Sequence, residues 1–427
     1  MKGEVTLPGD KSIAHRAIIL SALAQAKTTL QNIPLNADCL ATIDSFRKLG
    51  IKIKLNRAAK QAVVFGRGLT GLNSPNSPIL INESGTTFRL LLGVLAGQDF
   101  KAKLCAGPAL SRRPMLRVIR PLRLMGAKIK ARKIGKDEYP PVIIHGGNLT
   151  GITYKLPVAS AQVKSAILLA GLSAQGRTKV IEPVKTRDHT ERMLKLFQAD
   201  LQTQGNAVTL KGAKKLISPG VLGIPGDISS AAFFMVAASI VPGSKILIKN
   251  VGLNPGRIGI LKALKRMGAA VKIQRSNLKT KGNEPVGDIL VKSSCLRGIK
   301  IGNKEVPSLI DELPILMVAA CLAKGESVFS GVGELRVKET DRIKSMLVNL
   351  IQMGANIRIN KTGQNENIII KGVETLYGAK VSSFGDHRTA MSLVVAGLTT
   401  CGRIRIDDLS CINKSFPNFL KTLNSLK

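Results

Sequence analysis

Pro8-Gly9-Asp10-Lys11-Ser12-Ile13-Ala14 and Pro225-Gly226-Asp227-Ile228-Ser229-Ser230-Ala231 are one phrase written twice. In each, a Pro-Gly turn leads to an Asp at a helix start and then to a run of small and apolar residues. An Asp there caps the first turn and leaves backbone N–H groups aimed outward, where an anion can reach them. The recurrence predicts two related halves. Only the first copy carries Lys11, Ser12, His15 and Arg16, all side chains suited to an anion.

A finer repeat runs beneath this one. Short β-branched strands are expected at 27–30, 102–104, 177–180, 244–248, 326–329 and 403–406, about every 75 residues, each after an Ala/Leu-rich helix. The helix that follows each strand tends to end in Leu-Gly or Met-Gly, as at Leu49-Gly50, Met125-Gly126, Met267-Gly268 and Met353-Gly354. Glycine suits a helix end that closes on a left-handed residue. The third unit has Gln198-Ala199 at that point, and the sixth runs out after Phe416-Pro417-Asn418-Phe419. Strands alternating with helices predict an α/β class, and six units split three and three give two domains of ordinary size.

With 44% hydrophobic residues the chain can bury a large core, while its apolar runs are too short for a membrane span. The N-terminus has no secretory h-region, and the six cysteines show neither Cys-x-x-Cys pairs nor metal-ligand spacing. Reduced thiols in a cytoplasmic protein are expected. The net charge of +37 suggests nucleic acid at first sight. Aromatic residues make up only 3%, however, and the basic residues are mainly scattered lysines, which fits solvated faces and small anionic ligands better than an RNA-binding protein.

Basic and hydroxyl residues recur at loop–helix junctions: Gly85-Thr86-Thr87-Phe88-Arg89, Ser111-Arg112-Arg113-Pro114, Ser160-Ala161-Gln162-Val163-Lys164-Ser165, Arg336 to Arg342, Gly385-Asp386-His387-Arg388 and Asn413-Lys414-Ser415. Singly, each reads as an N-cap or a solvated helix start, and His189 and His387 read as surface residues. Jointly, their equivalent places in the repeat predict helix N-termini converging on a polyanion site. Walker and Rossmann glycine patterns are absent, as is any Ser–His–Asp or metal cluster.

These strings, together with Arg187-Asp188-His189-Thr190-Glu191 and Asp311-Glu312, closely resemble the EPSP synthase branch of the enolpyruvyl transferase family, in order and over nearly the whole chain. The resemblance implies an α/β (α+β) fold of two similar domains, 10–225 and 226–427 plus 1–9. Each would hold three βαβαββ units arranged as an inside-out α/β barrel, the two joined by a double-crossover hinge with the active site in the cleft. It also implies transfer of the enolpyruvyl group of phosphoenolpyruvate to shikimate-3-phosphate by a cytoplasmic monomer in aromatic amino acid biosynthesis, with no metal or other cofactor and no nucleic-acid or membrane partner.

By the same resemblance, Lys11, Ser12, Arg16, Ser160, Ala161, Gln162, Arg187, Asp311 and Lys338 hold shikimate-3-phosphate. Lys11, Gly85, Arg113, Gln162, Arg342, Arg388 and Lys414 hold phosphoenolpyruvate. Asp311 takes the hydroxyl proton, Glu339 protonates the methylene carbon and Lys11 stabilises charge. A UDP-N-acetylglucosamine enolpyruvyl transferase is the alternative within the fold, but its loop cysteine would fall at Pro108 here, and Cys105 is misplaced. Glu83 departs from the pattern, standing where the family usually has Asn. A carboxylate there is expected either to point away from the anion site or to weaken it.

Overall fold

The computed structural model describes residues 1–275, 284–362 and 365–427. Its described residues divide into two compact units: one holds Gly9–Ile224 and Glu284, the other Met1–Pro8, 225–275, 285–362 and 365–427.

Each unit is built round buried helices. In the first unit these are Lys11–Leu23, Gly85–Ala96 and Ala161–Gly171; every residue from Ile13 to Leu23 and from Val163 to Gly171 is buried. In the second they are Ile228–Ile240, Leu313–Cys321 and His387–Ala396. A helix apolar on all sides needs neighbours on all sides, so these helices form the centres and the sheets lie outside. Small residues let them close in: at Gly93 a Cβ would fall 2.2 Å from the carbonyl oxygen of Ala166 on the neighbouring helix.

Among the described residues the strands form five four-stranded sheets and one two-stranded sheet. These sheets stay separate, so the expected inside-out barrel is realised as helices within and sheets without, with no closed barrel of strands. The sheets repeat one topology, shown by Val221–Gly223, Gln25–Gln31, Gln61–Arg67 and Lys52–Asn56 in spatial order. The first pair is parallel and the other two are antiparallel. In the second unit the N-terminal strand Lys2–Thr6 takes the parallel place beside Lys245–Gly252. The sixth repeat keeps only its parallel pair, Lys380–Val381 with Arg405–Ile406. The C-terminal segment then folds back, and Phe416 and Phe419 pack against Phe233 and Phe234 with ring centroids 5.7–6.1 Å apart. Edge-to-face contacts of this kind add to simple area burial.

The lysines lie where period-2 alternation puts them. In Lys52-Ile53-Lys54, Lys101-Ala102-Lys103-Leu104 and Lys128-Ile129-Lys130 the lysines are exposed and the apolar residues buried. Much of the net charge is therefore a solvated outer coat. None of the six cysteines is in a disulfide. Among the described residues no helix is long and apolar enough to cross a membrane.

The Leu/Met-Gly helix ends close as expected. Gly50, Gly126, Gly268 and Gly354 have φ of +86°, +114°, +85° and +87°. At each, the next residue's N–H reaches back five residues, as Ile51 N to Phe46 O at 3.0 Å and Ala355 N to Leu350 O at 2.9 Å, the bond of a Schellman cap. The third unit makes the same turn with Gln198, exposed at φ +62°, and Ala199 N bonds Leu194 O at 2.9 Å. A side chain in that region costs about 1 kcal/mol. Gln198→Gly is therefore expected to raise stability by up to about 1 kcal/mol, offset in part by glycine's entropy in the unfolded chain. Denaturant unfolding checks it, and a loss of stability would contradict the strain.

Candidate active site

In the first unit the N-termini of the buried helices are tied to one another. Asp10 caps its helix by accepting from Ile13 N at 2.9 Å, and Lys11 Nζ meets Asp38 Oδ2 at 2.8 Å. Asp38 lies in the first turn of Ala37–Lys48, and its backbone oxygen accepts from Thr87 Oγ1, 3.4 Å away, in the first turn of Gly85–Ala96. Gln162, at the start of Ala161–Gly171, donates to Thr86 Oγ1 at 2.9 Å and accepts from Arg89 Nη1 at 2.8 Å. Ser160 caps that helix through Val163 N.

Arg16 is buried at the centre of this network. It donates to Thr190 Oγ1 at 2.6 Å, Ser165 Oγ at 2.8 Å and the backbone oxygen of Ser12 at 2.9 Å. Burial, reinforced by the like charge of Arg187, lowers its pKa to about 10, so it stays cationic at neutral pH. Arg113 reaches over the helix start at Gly85, where a Cβ would lie 2.8 Å from Arg113 Nη1 and 3.0 Å from Arg89 Nη1. The sequence candidates Lys11, Ser12, Arg16, Gly85, Arg113, Ser160, Ala161, Gln162 and Arg187 all lie in this unit; Arg89 and Thr190 stood in the quoted strings without an assigned role, Asp38 was not singled out, and the buried anchor beneath them was not foreseen. That anchor is Lys164, whose Nζ meets Glu182 at 2.8 Å and Glu191 at 2.6 Å. The two glutamates bracket the loop that carries Arg187, so Lys164 holds that loop from behind. Burial, outweighing the pull of Lys164, raises the pKa of Glu191.

Two histidine readings change. His15 contributes no charge to an anion site: it is fully buried against Thr42 Oγ1 at 2.6 Å, and burial, then Lys11 and Arg16, hold its pKa well below the usual range. His189 and His387 are buried rather than on the surface. His189 Nδ1 meets Glu284 Oε1 at 2.7 Å within the first unit.

In the second unit the helix starts again converge, but carboxylates crowd among the cations. Arg342 opens the helix Arg342–Gln352, is 1% exposed and is gripped by three acids. Its Nε meets Asp386 Oδ2 at 2.9 Å, Nη2 meets Glu339 Oε2 at 2.6 Å and Nη1 meets Asp311 Oδ1 at 3.5 Å. Burial disfavours this cation, yet Asp386, Glu339 and Asp311 together outweigh burial and raise its pKa. Asp386 stays ionised by the same balance: burial opposes its charge and Arg342 overcomes it. Asp386 also caps the helix His387–Ala396, accepting from Arg388 N at 2.7 Å and Thr389 N at 3.1 Å.

Asp311 stands just before the helix Leu313–Cys321. Arg388 Nη1 donates to its backbone oxygen at 2.8 Å, and Arg388 Nη2 and Arg257 Nη1 each lie 4.0 Å from its carboxylate. Arg257 is buried and donates to Ser229 Oγ at 2.5 Å, beside Asp227; the sequence, where it follows Asn254-Pro255-Gly256, did not single it out. Lys414 donates to the backbone oxygen of Gly385 at 3.1 Å, near Arg388. Lys338 follows the turn Gly333–Val337 and directly precedes Glu339. The heptapeptide 336–342 divides its labour. Arg336 turns to Glu366 at 2.8 and 2.6 Å and to Asp341 at 2.5 Å as a brace, while Arg342 turns to Glu339, Asp311 and Asp386.

The first unit thus presents a mainly cationic surface of helix N-termini, and the second an acid–base cluster. Residues 1–423 match the family model described as EPSP synthase (3-phosphoshikimate 1-carboxyvinyltransferase). The 3-phosphoshikimate 1-carboxyvinyltransferase of Syntrophomonas wolfei is 49% identical over 427 residues, covering 100% of this chain and 97% of the relative. A solved EPSP synthase from Acinetobacter baumannii superposes with TM-score 0.86 at 43% identity, covering 100% of this chain and 95% of that one. The enolpyruvyl transferase NikO from Streptomyces tendae, at 16% identity and TM-score 0.77 over 99% and 94% of the two chains, shares the fold.

Proposed function

The chain belongs to the EPSP synthase (3-phosphoshikimate 1-carboxyvinyltransferase) family, and from that premise we propose how its residues divide the work. The enzyme transfers the enolpyruvyl group of phosphoenolpyruvate to the 5-hydroxyl of shikimate-3-phosphate in the shikimate pathway, releasing phosphate. In our assignment Ser12, Arg16, Ser160, Ala161, Gln162 and Arg187 hold shikimate-3-phosphate, with Lys338 from the second unit. Lys11, Arg113, Gln162, Arg342, Arg388 and Lys414 hold phosphoenolpyruvate, with Gly85 leaving it room. Two phosphorylated carboxylates repel one another, and fixed guanidinium groups offset that repulsion while fixing orientation. We further take the enzyme to be a cytoplasmic monomer that works without a cofactor.

Asp311 accepts the proton of the 5-hydroxyl, whose oxygen forms a bond to C2 of phosphoenolpyruvate. Glu339 delivers a proton to C3, giving a tetrahedral ketal. The bond from C2 to the phosphate oxygen then breaks, C3 loses a proton and inorganic phosphate departs. Lys11 offsets the charge that develops.

The observation that carries this reading is the shared grip of Asp311 and Glu339 on Arg342. An incoming phosphoenolpyruvate carboxylate competes for the same guanidinium and loosens its hold on Glu339, so that this side chain is released to act as the acid when substrate arrives. The test is phosphate release from the two substrates together against each alone. Release requiring both supports the reading; none with both overturns it.

Gly85→Ala sets a Cβ 2.8 Å from Arg113 Nη1. The end of a long side chain can shift, so the variant is expected to fold. The displaced guanidinium should raise KM for phosphoenolpyruvate by about tenfold, roughly the worth of one charged hydrogen bond. Steady-state kinetics check it; an unchanged KM would remove Arg113 from that ligand.

A further inference from the structure

We propose that Glu83 is a positioning residue that sets Arg113 for phosphoenolpyruvate; this rests on the assignment of Arg113 above. Glu83 neither turns idle to solvent nor enters the anion site as a free charge. Its two carboxylate oxygens accept from successive backbone N–H groups, Oε1 from Ala109 at 3.2 Å and Oε2 from Leu110 at 2.7 Å. Leu110 begins the short turn Leu110–Arg112, and its carbonyl oxygen accepts from Arg113 N at 3.0 Å. One carboxylate is thus two hydrogen bonds from the backbone of Arg113.

Its neighbours tighten the same clasp. Gly107 N donates to Asn82 O at 2.7 Å, and a Cβ on Gly107 would fall 2.3 Å from Glu83 Oε1. The segment 82–85 therefore acts on the arginine loop at both ends, with Asn82 and Glu83 gripping the backbone and Gly85 making room for the guanidinium. A carboxylate can accept both N–H groups at once, and charge-assisted bonds of this type are short and strong. An amide offers an acceptor oxygen at only one of these two positions and turns an NH2 donor toward the other N–H. This accounts for a carboxylate beside an anion site: its lone pairs are spent on the loop.

The test is kinetic. Glu83→Ala is expected to raise KM for phosphoenolpyruvate about tenfold, with kcat within about threefold and the Kd for shikimate-3-phosphate unchanged. Glu83→Gln should fall between. Because Glu83 acts through Arg113, the double variant Glu83→Ala/Arg113→Ala should be no weaker for phosphoenolpyruvate than Arg113→Ala alone. An unchanged KM in Glu83→Ala, or fully additive losses in the double variant, would overturn the proposal. Should Glu83→Ala fail to fold, Glu83→Gln supports the same comparison. If Arg113→Ala itself leaves KM untouched, the assignment of Arg113 fails first and takes this proposal with it.

Discussion

Arg342→Met is expected to lose turnover by at least about a thousandfold and to destabilise the second unit by about 3–5 kcal/mol, the usual cost of removing one partner from a buried ion cluster. The size follows from what is stranded. Asp386 is 0% exposed and Arg342 is its guanidinium partner at 2.9 Å. Glu339 and Asp311 lose the same partner. A neutral thioether fills the volume without answering any of the three charges. Arg342→Lys keeps a charge but presents a point where the guanidinium presented a fork, so it should recover much of the stability and little of the rate. Thermal unfolding and kcat, measured on the same preparations, separate the two effects. A Met variant with unchanged melting temperature and kcat within tenfold of the parent would mean that the cluster holds neither fold nor chemistry.

Glu339→Gln is expected to show the opposite pairing: almost no loss of stability, but a large loss of turnover. Glu339 retains about a third of its side-chain exposure, so its pair with Arg342 contributes little to folding once solvent screening is allowed for. The amide keeps size and polarity, and both substrates should bind with near-normal Kd. It cannot carry a proton to C3, and removing a positioned general acid lowers rate by about 10²–10⁴-fold. Asp311→Asn should fall in the same range through the other proton. Calorimetric binding beside phosphate release under saturating substrates checks the pair. Near-normal turnover of Glu339→Gln would take that residue out of the mechanism.

Much of the fold was legible because it is periodic in several ways at once. The Pro-Gly-Asp phrase, the strands about 75 residues apart and the Leu/Met-Gly helix ends all mark the same repeat, and each corresponds to a local rule of backbone geometry. Gln198 shows the limit of that reading. The turn persists after the residue that best suits it has gone, because the 3.0 Å bond from Gln198 N to Lys195 O and the packing around it specify the turn. Candidate anion ligands were legible as basic residues at helix starts. Their partners were not, since Asp38, Thr190, Arg257 and Asp386 become meaningful only once distant helices meet. His15 misled for a related reason. Its place beside Arg16 in sequence suggested a charge, whereas one step along a helix turns it into the core. Arg336 and Arg342 look alike within one heptapeptide, but one became a brace and the other the centre of the acid–base cluster.

The buried helices have heads and tails with different duties. The candidate site residues cluster at the heads, where backbone N–H groups lie open. The lysine-coated strands lie outside, away from those candidate residues. An organism whose proteome drifts toward lysine can therefore repaint this enzyme's exterior almost freely. Such drift alters solubility and long-range potential while leaving the reacting groups where they stand.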